Sequence, residues 1–331
     1  MFATEIDRKI YAEELSPRLP EKILDSHVHI WSKKDFPAGF SFPAKDCCNR
    51  FGGEFTIPQW REIMAELLPE QQVFLNCFGT PHAAADRTQL PAGAGENDFV
   101  NLLISPDDPA EKVEELLDAG GAVGVKPYLN YAAQVFGKKD NDVEIFDMLS
   151  KEQLAMLNRK KMAVTLHIPR SARFADPVNQ KQMIELCETY PDIRIIFAHI
   201  GRAYYMRNIR ESNIDDFVRF PNVYFDTAML NHEGILNYTF DHFPAERILF
   251  GSDSPIALLR GKSVEINNQY AYLMAEDYEI GTVIKDTCNM VKFTTFFYEQ
   301  LRAVINTVPA GQLENVFYNN ANKLFRSIKA K

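Results

Sequence analysis

Residues 23–31, ILDSHVHIW, decide how this chain is read. Asp25, His27 and His29 recur there at every second position inside an apolar run. Side chains alternate across an extended strand with period two, so these three share one face. Leu24, Ser26, Val28 and Ile30 share the other. Two imidazoles and a carboxylate on one face of a buried strand stabilise nothing by themselves. They call for a fold that brings partners to them.

Seven more short runs read as strands by length, β-branched content and flanking Gly or Pro. They are QVFLNCFG (72–79), FVNLLIS (99–105), AVGVKPY (122–128), MAVTLHI (162–168), IRIIFAH (193–199), NVYFDTA (222–228) and RILFGSD (247–253), which with KILDSHVHIW (22–31) make eight. Amphipathic stretches between them predict helices over 57–68, 108–120, 142–160, 179–190 and 213–220, with the link 80–98 the weakest. Strands alternating with helices predict a parallel sheet, and eight such units predict a closed (β/α)8 TIM barrel of the α/β class. No GxGxxG follows the first strand, which argues against a dinucleotide fold. The expectation is one domain over 1–331, with the barrel at about 22–262 and helices over 263–331 as a C-terminal extension. A long loop, 32–56, rich in Phe, Pro and Gly, has the length of a lid or of a packed surface excursion.

Composition narrows the function. The chain has 331 residues, 46% hydrophobic and 24% charged, with a net charge of −9. An acidic chain without a basic cluster is not expected to bind nucleic acid. No run approaches the roughly 18 apolar residues of a membrane span, and the charged N-terminal stretch lacks the apolar core of a signal peptide. Cys47, Cys48, Cys77, Cys187 and Cys288 are odd in number and never spaced CxxC, which suits reduced thiols in a cytoplasmic protein. The sequence is compatible with a homo-oligomer and does not specify one.

The chemistry-bearing residues close strands. His167 ends the fifth, His199 the sixth and Asp253 the eighth, while His27 and His29 lie near the end of the first. In a barrel these ends converge on one mouth. Three or four imidazoles and a carboxylate suit a divalent ion, Zn²⁺ first, with Fe²⁺ or Mn²⁺ as alternatives. Each residue alone has a structural explanation, such as a core histidine or a turn aspartate. Four strand ends together do not. Asp25 either orients a ligand or hydrogen-bonds at the strand base. Lys126, Arg170 and Arg202 follow strand ends and suggest a small anionic, carboxylated substrate. Tyr128, Trp31 and Phe36 are candidates for an apolar wall. His82, His232 and His242 carry no assignment.

The motifs DSHVH, TLH, AHIGR, FGSDSP and NNANKLF occur in this order over residues 22–326. In this the chain resembles the amidohydrolase-related metal-dependent hydrolases, and within them the branch that includes decarboxylases related to aminocarboxymuconate semialdehyde decarboxylase. The resemblance implies His27, His29 and His167 as ligands of one metal ion, Asp253 as ligand or proton shuttle, and His199 as a further ligand or a group polarising the substrate. It also implies a (β/α)8 barrel. The segment AHIGRAYY departs from the Gly-rich or Gly-Glu and proline pattern common in the decarboxylases. Another branch carries a carboxylated lysine bridging two metals on the fourth strand, near the place of Lys126. The expected activity is hydrolysis of a C–N, ester or lactone bond by metal-activated water. Non-oxidative decarboxylation and metal binding without turnover are the alternatives.

Overall fold

The computed structural model describes residues 1–82, 85–284 and 291–329. Its main sheet has eight parallel strands in sequence order. They are β1 (Lys22–His29), β2 (Gln72–Phe78), β3 (Phe99–Ile104), β4 (Gly124–Pro127), β5 (Ala163–Leu166), β6 (Arg194–Phe197), β7 (Val223–Asp226) and β8 (Ile248–Leu249). All eight are where the apolar runs placed them. The sheet closes on itself beyond β8. Ser26 N donates to Phe250 O at 2.9 Å, Asp253 N to His27 O at 2.8 Å and His29 N to Ser254 O at 2.7 Å. A (β/α)8 barrel is therefore the architecture.

Helices cover the strands where an apolar stripe coincides with a cap. Ile57–Leu67 starts at the Thr56/Gln59 capping box, and Pro177–Thr189 starts at Asp176. Other helical expectations need correction. Within 142–160 the α-helix is only Lys151–Lys160, because Ser150 caps it there and the chain before it forms 3₁₀ turns at Asp140–Asp142 and Ile145–Asp147. The stretch 213–220 holds a short 3₁₀ turn, Ile214–Phe217. Leu129–Phe136, after β4, and Glu233–His242, between β7 and β8, are helices without a counterpart in the sequence reading. Among the described residues no helix joins β2 to β3.

The larger correction lies past the barrel. The stretch 267–280, expected to be helical, belongs to an antiparallel hairpin of β9 (Gly261–Ile266) and β10 (Gln269–Met274). Asn267 and Asn268 turn it, with φ of +50° and +57°. Two central residues at positive φ make the turn whose twist matches a two-residue hairpin, and asparagine tolerates that region. Helices Phe296–Thr307 and Asn320–Lys329 follow as expected. In the 32–56 loop, Phe36 stacks on Phe40 at 4.2 Å, and Trp31 packs against Phe42 and Phe55, so Trp31 and Phe36 are packing residues. Cys47, Cys48, Cys77 and Cys187 are free thiols. Cys288 lies outside the described residues.

Two buried details fix the frame beneath the mouth. Gly124 in β4 sits where a Cβ would meet Ala163 O at 2.4 Å and Asn101 Oδ1 at 2.8 Å. Asp7, fully buried in the N-terminal helix Glu5–Ile10, pairs with Arg260 Nη2 at 2.7 Å and accepts from Thr294 Oγ1 at 2.6 Å, pinning the root of the hairpin. Gly124→Ala is expected to cost about 1–3 kcal/mol through steric overlap with backbone, read as a lower urea midpoint. An unchanged midpoint contradicts the close approach of β4 to β5. Burial raises the Asp7 carboxyl, but Arg260 and Thr294 outweigh it and hold the pKa below the ordinary 3.8. A depressed folded-state pKa gives stability that is complete above the unfolded value and lost as pH falls through the folded one. Asp7→Asn should therefore be less stable than the native chain at pH 7, with the gap narrowing below about pH 4. A gap that stays constant to pH 2 refutes the pairing.

Candidate active site

The strand ends bring seven of the residues read from the sequence into one cluster. His27 and His29 end β1, on the stretch where the β1–β2 register slips between Asp25 and Val28. Such bulges re-aim side chains beside functional sites. Their rings stand edge to face at 5.5 Å. His199 lies 4.9 Å from His27 between ring centroids, and His167 lies 5.2 Å from His199. Asp253 Oδ1 reaches His27 Nε2 at 3.4 Å and His29 Nε2 at 3.5 Å. Lys126, completely buried in β4, places Nζ 2.7 Å from His27 Nε2. Tyr128, just past β4, places its hydroxyl 2.8 Å from His29 Nε2.

Three of the four rings are held by the inner nitrogen. His27 Nδ1 is 2.9 Å from Asp226 Oδ2, His29 Nδ1 is 2.7 Å from Gly79 O, and His199 Nδ1 is 3.0 Å from Ala228 O. An Nδ1–H donated to an oxygen fixes the tautomer that leaves Nε2 as an acceptor. Asp226 is the residue that sequence reading missed. It ends β7 after an apolar run, the same signal that singled out His167, His199 and Asp253. Its other oxygen accepts from His199 N at 2.7 Å and Ala228 N at 3.1 Å.

Asp25 occupies the strand base rather than the mouth. Its carboxylate accepts from Ser252 N at 2.8 Å, from Ser252 Oγ and from His27 N at 3.2 Å, and so it ties β1 to the chain after β8. Burial raises its pKa to about 7 against these donors. Arg170 is turned away from the cluster and pairs with Asp176 at 3.0 Å. Arg202 stays near it: Nη1 donates to Ile168 O at 2.8 Å, and its charge helps depress His167.

Electrostatics follow from burial. Desolvation lowers the pKa of His27, His29 and His167, and pushes His199 down to about 4, so all four rings are neutral at pH 7. Burial raises Asp253, but the facing imidazoles of His27, His29 and His199 outweigh it and hold the carboxyl well below its usual range. Lys126 is lowered to about 8 by burial, against the pull of Asp253 and Asp226.

The backbone around the cluster is strained. His199, Ile200, Gly201 and Arg202 form a left-handed turn with φ of +57°, +47°, +63° and +59°. Arg170, Arg173, Met229 and Asp253 also have positive φ, each just past a strand end. Non-glycine residues there cost about 1–3 kcal/mol each, and such strain collects at functional sites.

The donor set fits a divalent cation. Within the cluster two trios have ligand atoms within 4.8 Å of one another, His27/His29/Asp253 and His27/His199/Asp226. The Asp226 oxygens already accept three hydrogen bonds. The first trio presents two Nε2 atoms and a carboxylate oxygen. His167 is in neither trio, and its buried Nδ1 has no partner among the described residues.

The amidohydrolase family model matches residues 24–327. Among solved structures, the chain is similar to an amidohydrolase 2 from Bifidobacterium longum subsp. infantis, at 16% identity and a TM-score of 0.53, covering 93% of this chain and 99% of that one. It is also similar to a probable 2-pyrone-4,6-dicarboxylic acid hydrolase from Acinetobacter baumannii with citric acid bound, at 14% identity and 0.55, covering 92% and 99%. A third is 2,6-dihydroxybenzoate decarboxylase from Rhizobium, at 12% and 0.51, covering 93% and 99%. At these identities the likeness shows the fold. Comparison with curated proteins gives no match. Fold, ordered strand-end residues and the match over nearly the whole length agree, and the chain belongs to the amidohydrolase family.

Proposed function

We propose that this protein is a metal-dependent hydrolase acting on a C–N, ester or lactone bond of a small carboxylated substrate. The observation that carries the reading is Asp253, an ionised carboxylate facing the Nε2 atoms of His27 and His29. His27, His29 and Asp253 would hold one divalent ion, with His167 as the further ligand that the family resemblance implies. Zn²⁺ suits these donors, and Fe²⁺ or Mn²⁺ are alternatives. When bound, such an ion activates water and polarises the carbonyl under attack.

The remaining steps belong to the chain. The Asp253 carboxylate takes the proton of the attacking water and returns it to the leaving group, as general acid–base catalysis requires. His199, neutral and locked by Ala228 O, presents its outer nitrogen as an acceptor for a substrate hydroxyl or N–H. Asp226 keeps His27 in one tautomer. Lys126 Nζ and the Tyr128 hydroxyl lie at hydrogen-bond distance from the Nε2 atoms of His27 and His29. A lone pair serves one acceptor role at a time, so loading the site releases both groups to donate to the substrate. Lys126 thereby serves as a cation for substrate in a one-ion site.

Two similar proteins bear on the reaction. The 2-pyrone-4,6-dicarboxylic acid hydrolase matches the proposed class, and the dihydroxybenzoate decarboxylase marks the competing one. A panel of carboxylated lactones, esters and amides, followed by NMR and CO₂ detection, separates them. One new acid group per turnover with no CO₂ is expected. CO₂ in step with substrate loss would establish decarboxylation, and no turnover by metal-loaded protein would favour a binding protein.

Three variants test the roles. His27→Ala and His29→Ala should remain folded and lose stoichiometric metal by elemental analysis, whereas full retention by both contradicts the ligand set. Asp253→Asn should retain part of the metal and lose about 10²–10⁴-fold in kcat. An unchanged kcat removes Asp253 from proton transfer.

A further inference from the structure

The hairpin β9–β10 leans over the β5–β7 side of the barrel mouth. Glu265 accepts from Met206 N at 2.8 Å and sits 3.1 Å from His232 Nε2, tying the hairpin to the loops after β6 and β7. Tyr270 then meets Tyr204 with ring centroids 4.8 Å apart, and Tyr204 lies 6.0 Å from the His199 ring. The Arg173 guanidinium lies over both tyrosines, 5.1 Å from Tyr204 and 4.7 Å from Tyr270, with Nη2 donating to the Tyr270 hydroxyl at 3.2 Å. Arg202 is largely buried beside them, and only one of its donors, Nη1, has a backbone partner.

Charge does not balance here. Among the described residues neither Arg173 nor Arg202 has a carboxylate partner, although Arg170 and Arg260 each have one and Arg302 has two. The Nε atoms of both Arg173 and Arg202 are buried without a hydrogen bond. Burial lowers the pKa of Arg202, and the neighbouring Arg173 charge adds to that lowering. Half-buried guanidinium groups with unpartnered Nε atoms call for an anion that accepts from their planar forks.

We propose that Arg173 and Arg202, roofed by Tyr270 of the hairpin and walled by Tyr204, form a subsite for a substrate carboxylate remote from the bond under attack. The proposal rests on the hydrolase reading for which bond is attacked, and names what holds the far end of the molecule. The hairpin thus selects acids over neutral analogues. The aromatic walls leave the arginines weakly hydrated, so a matching carboxylate gains more than it would in open solvent.

The test measures binding rather than turnover. Isothermal titration of the full metal-loaded chain compares isophthalate with its neutral analogue isophthalamide. The native protein should bind isophthalate at least about tenfold more tightly, about 1.4 kcal/mol. Arg173→Gln and Arg202→Gln should each remove that preference while leaving isophthalamide affinity unchanged. Asp253→Asn should retain it, so a wrong reaction class leaves the subsite result intact. Should Arg202→Gln fail to fold, Arg173→Gln and Arg173→Lys decide, with Lys recovering part of the affinity. Equal affinity of the native chain for the two probes, or an undiminished preference in Arg173→Gln, overturns the proposal.

Discussion

Closure of the sheet between β8 and β1 is the constraint on which the site depends. Three backbone hydrogen bonds, from Ser26, Asp253 and His29, join residues more than two hundred positions apart in sequence. The Asp25 carboxylate reinforces them through Ser252. The same seam that completes the barrel carries Asp253 to the two imidazoles of β1. Site and closure are one structural event, because Asp253 N bonds to the carbonyl of the very histidine its side chain faces.

Around that seam the protein keeps its acids and bases in opposite states by placement. The four imidazoles are desolvated and neutral, Asp253 is ionised, and Lys126 stays mostly cationic at neutral pH. Groups pushed apart in this way can divide acid and base roles between them. The left-handed turn at His199–Arg202 adds a backbone contribution, holding an imidazole and a guanidinium on one short loop. Gly201 is required within that turn, since a Cβ there would meet Phe174 Cγ at 2.7 Å.

Much of this was legible in the sequence, for identifiable reasons. Buried parallel strands are near-continuous apolar runs, so all eight stood out, and a polar residue at the end of such a run is conspicuous. Asp226 carried that signal as well, but NVYFDTA resembles an ordinary strand leading into a turn. Asp25 shares a face with His27 and His29, yet face alone does not say whether a carboxylate reaches the mouth or the seam. Arg170 and Arg202 follow histidines with the same spacing, and only three-dimensional packing shows that one has Asp176 and the other has no carboxylate partner among the described residues. The hairpin was hidden because QYAYLM suits a helix or a strand, and its Asn267–Asn268 turn looks equally like a helix start. Short apolar runs are ambiguous until tertiary partners decide.

The central claim is that a divalent cation sits between β1 and the residue that closes the barrel. Anomalous diffraction from crystals soaked in Zn²⁺ or Mn²⁺ tests it most directly. The account expects one strong peak, about 2.0–2.2 Å from His27 Nε2, His29 Nε2 and an Asp253 oxygen. No peak at saturating metal, or a peak bound instead through His27 Nδ1 and Asp226, would contradict it.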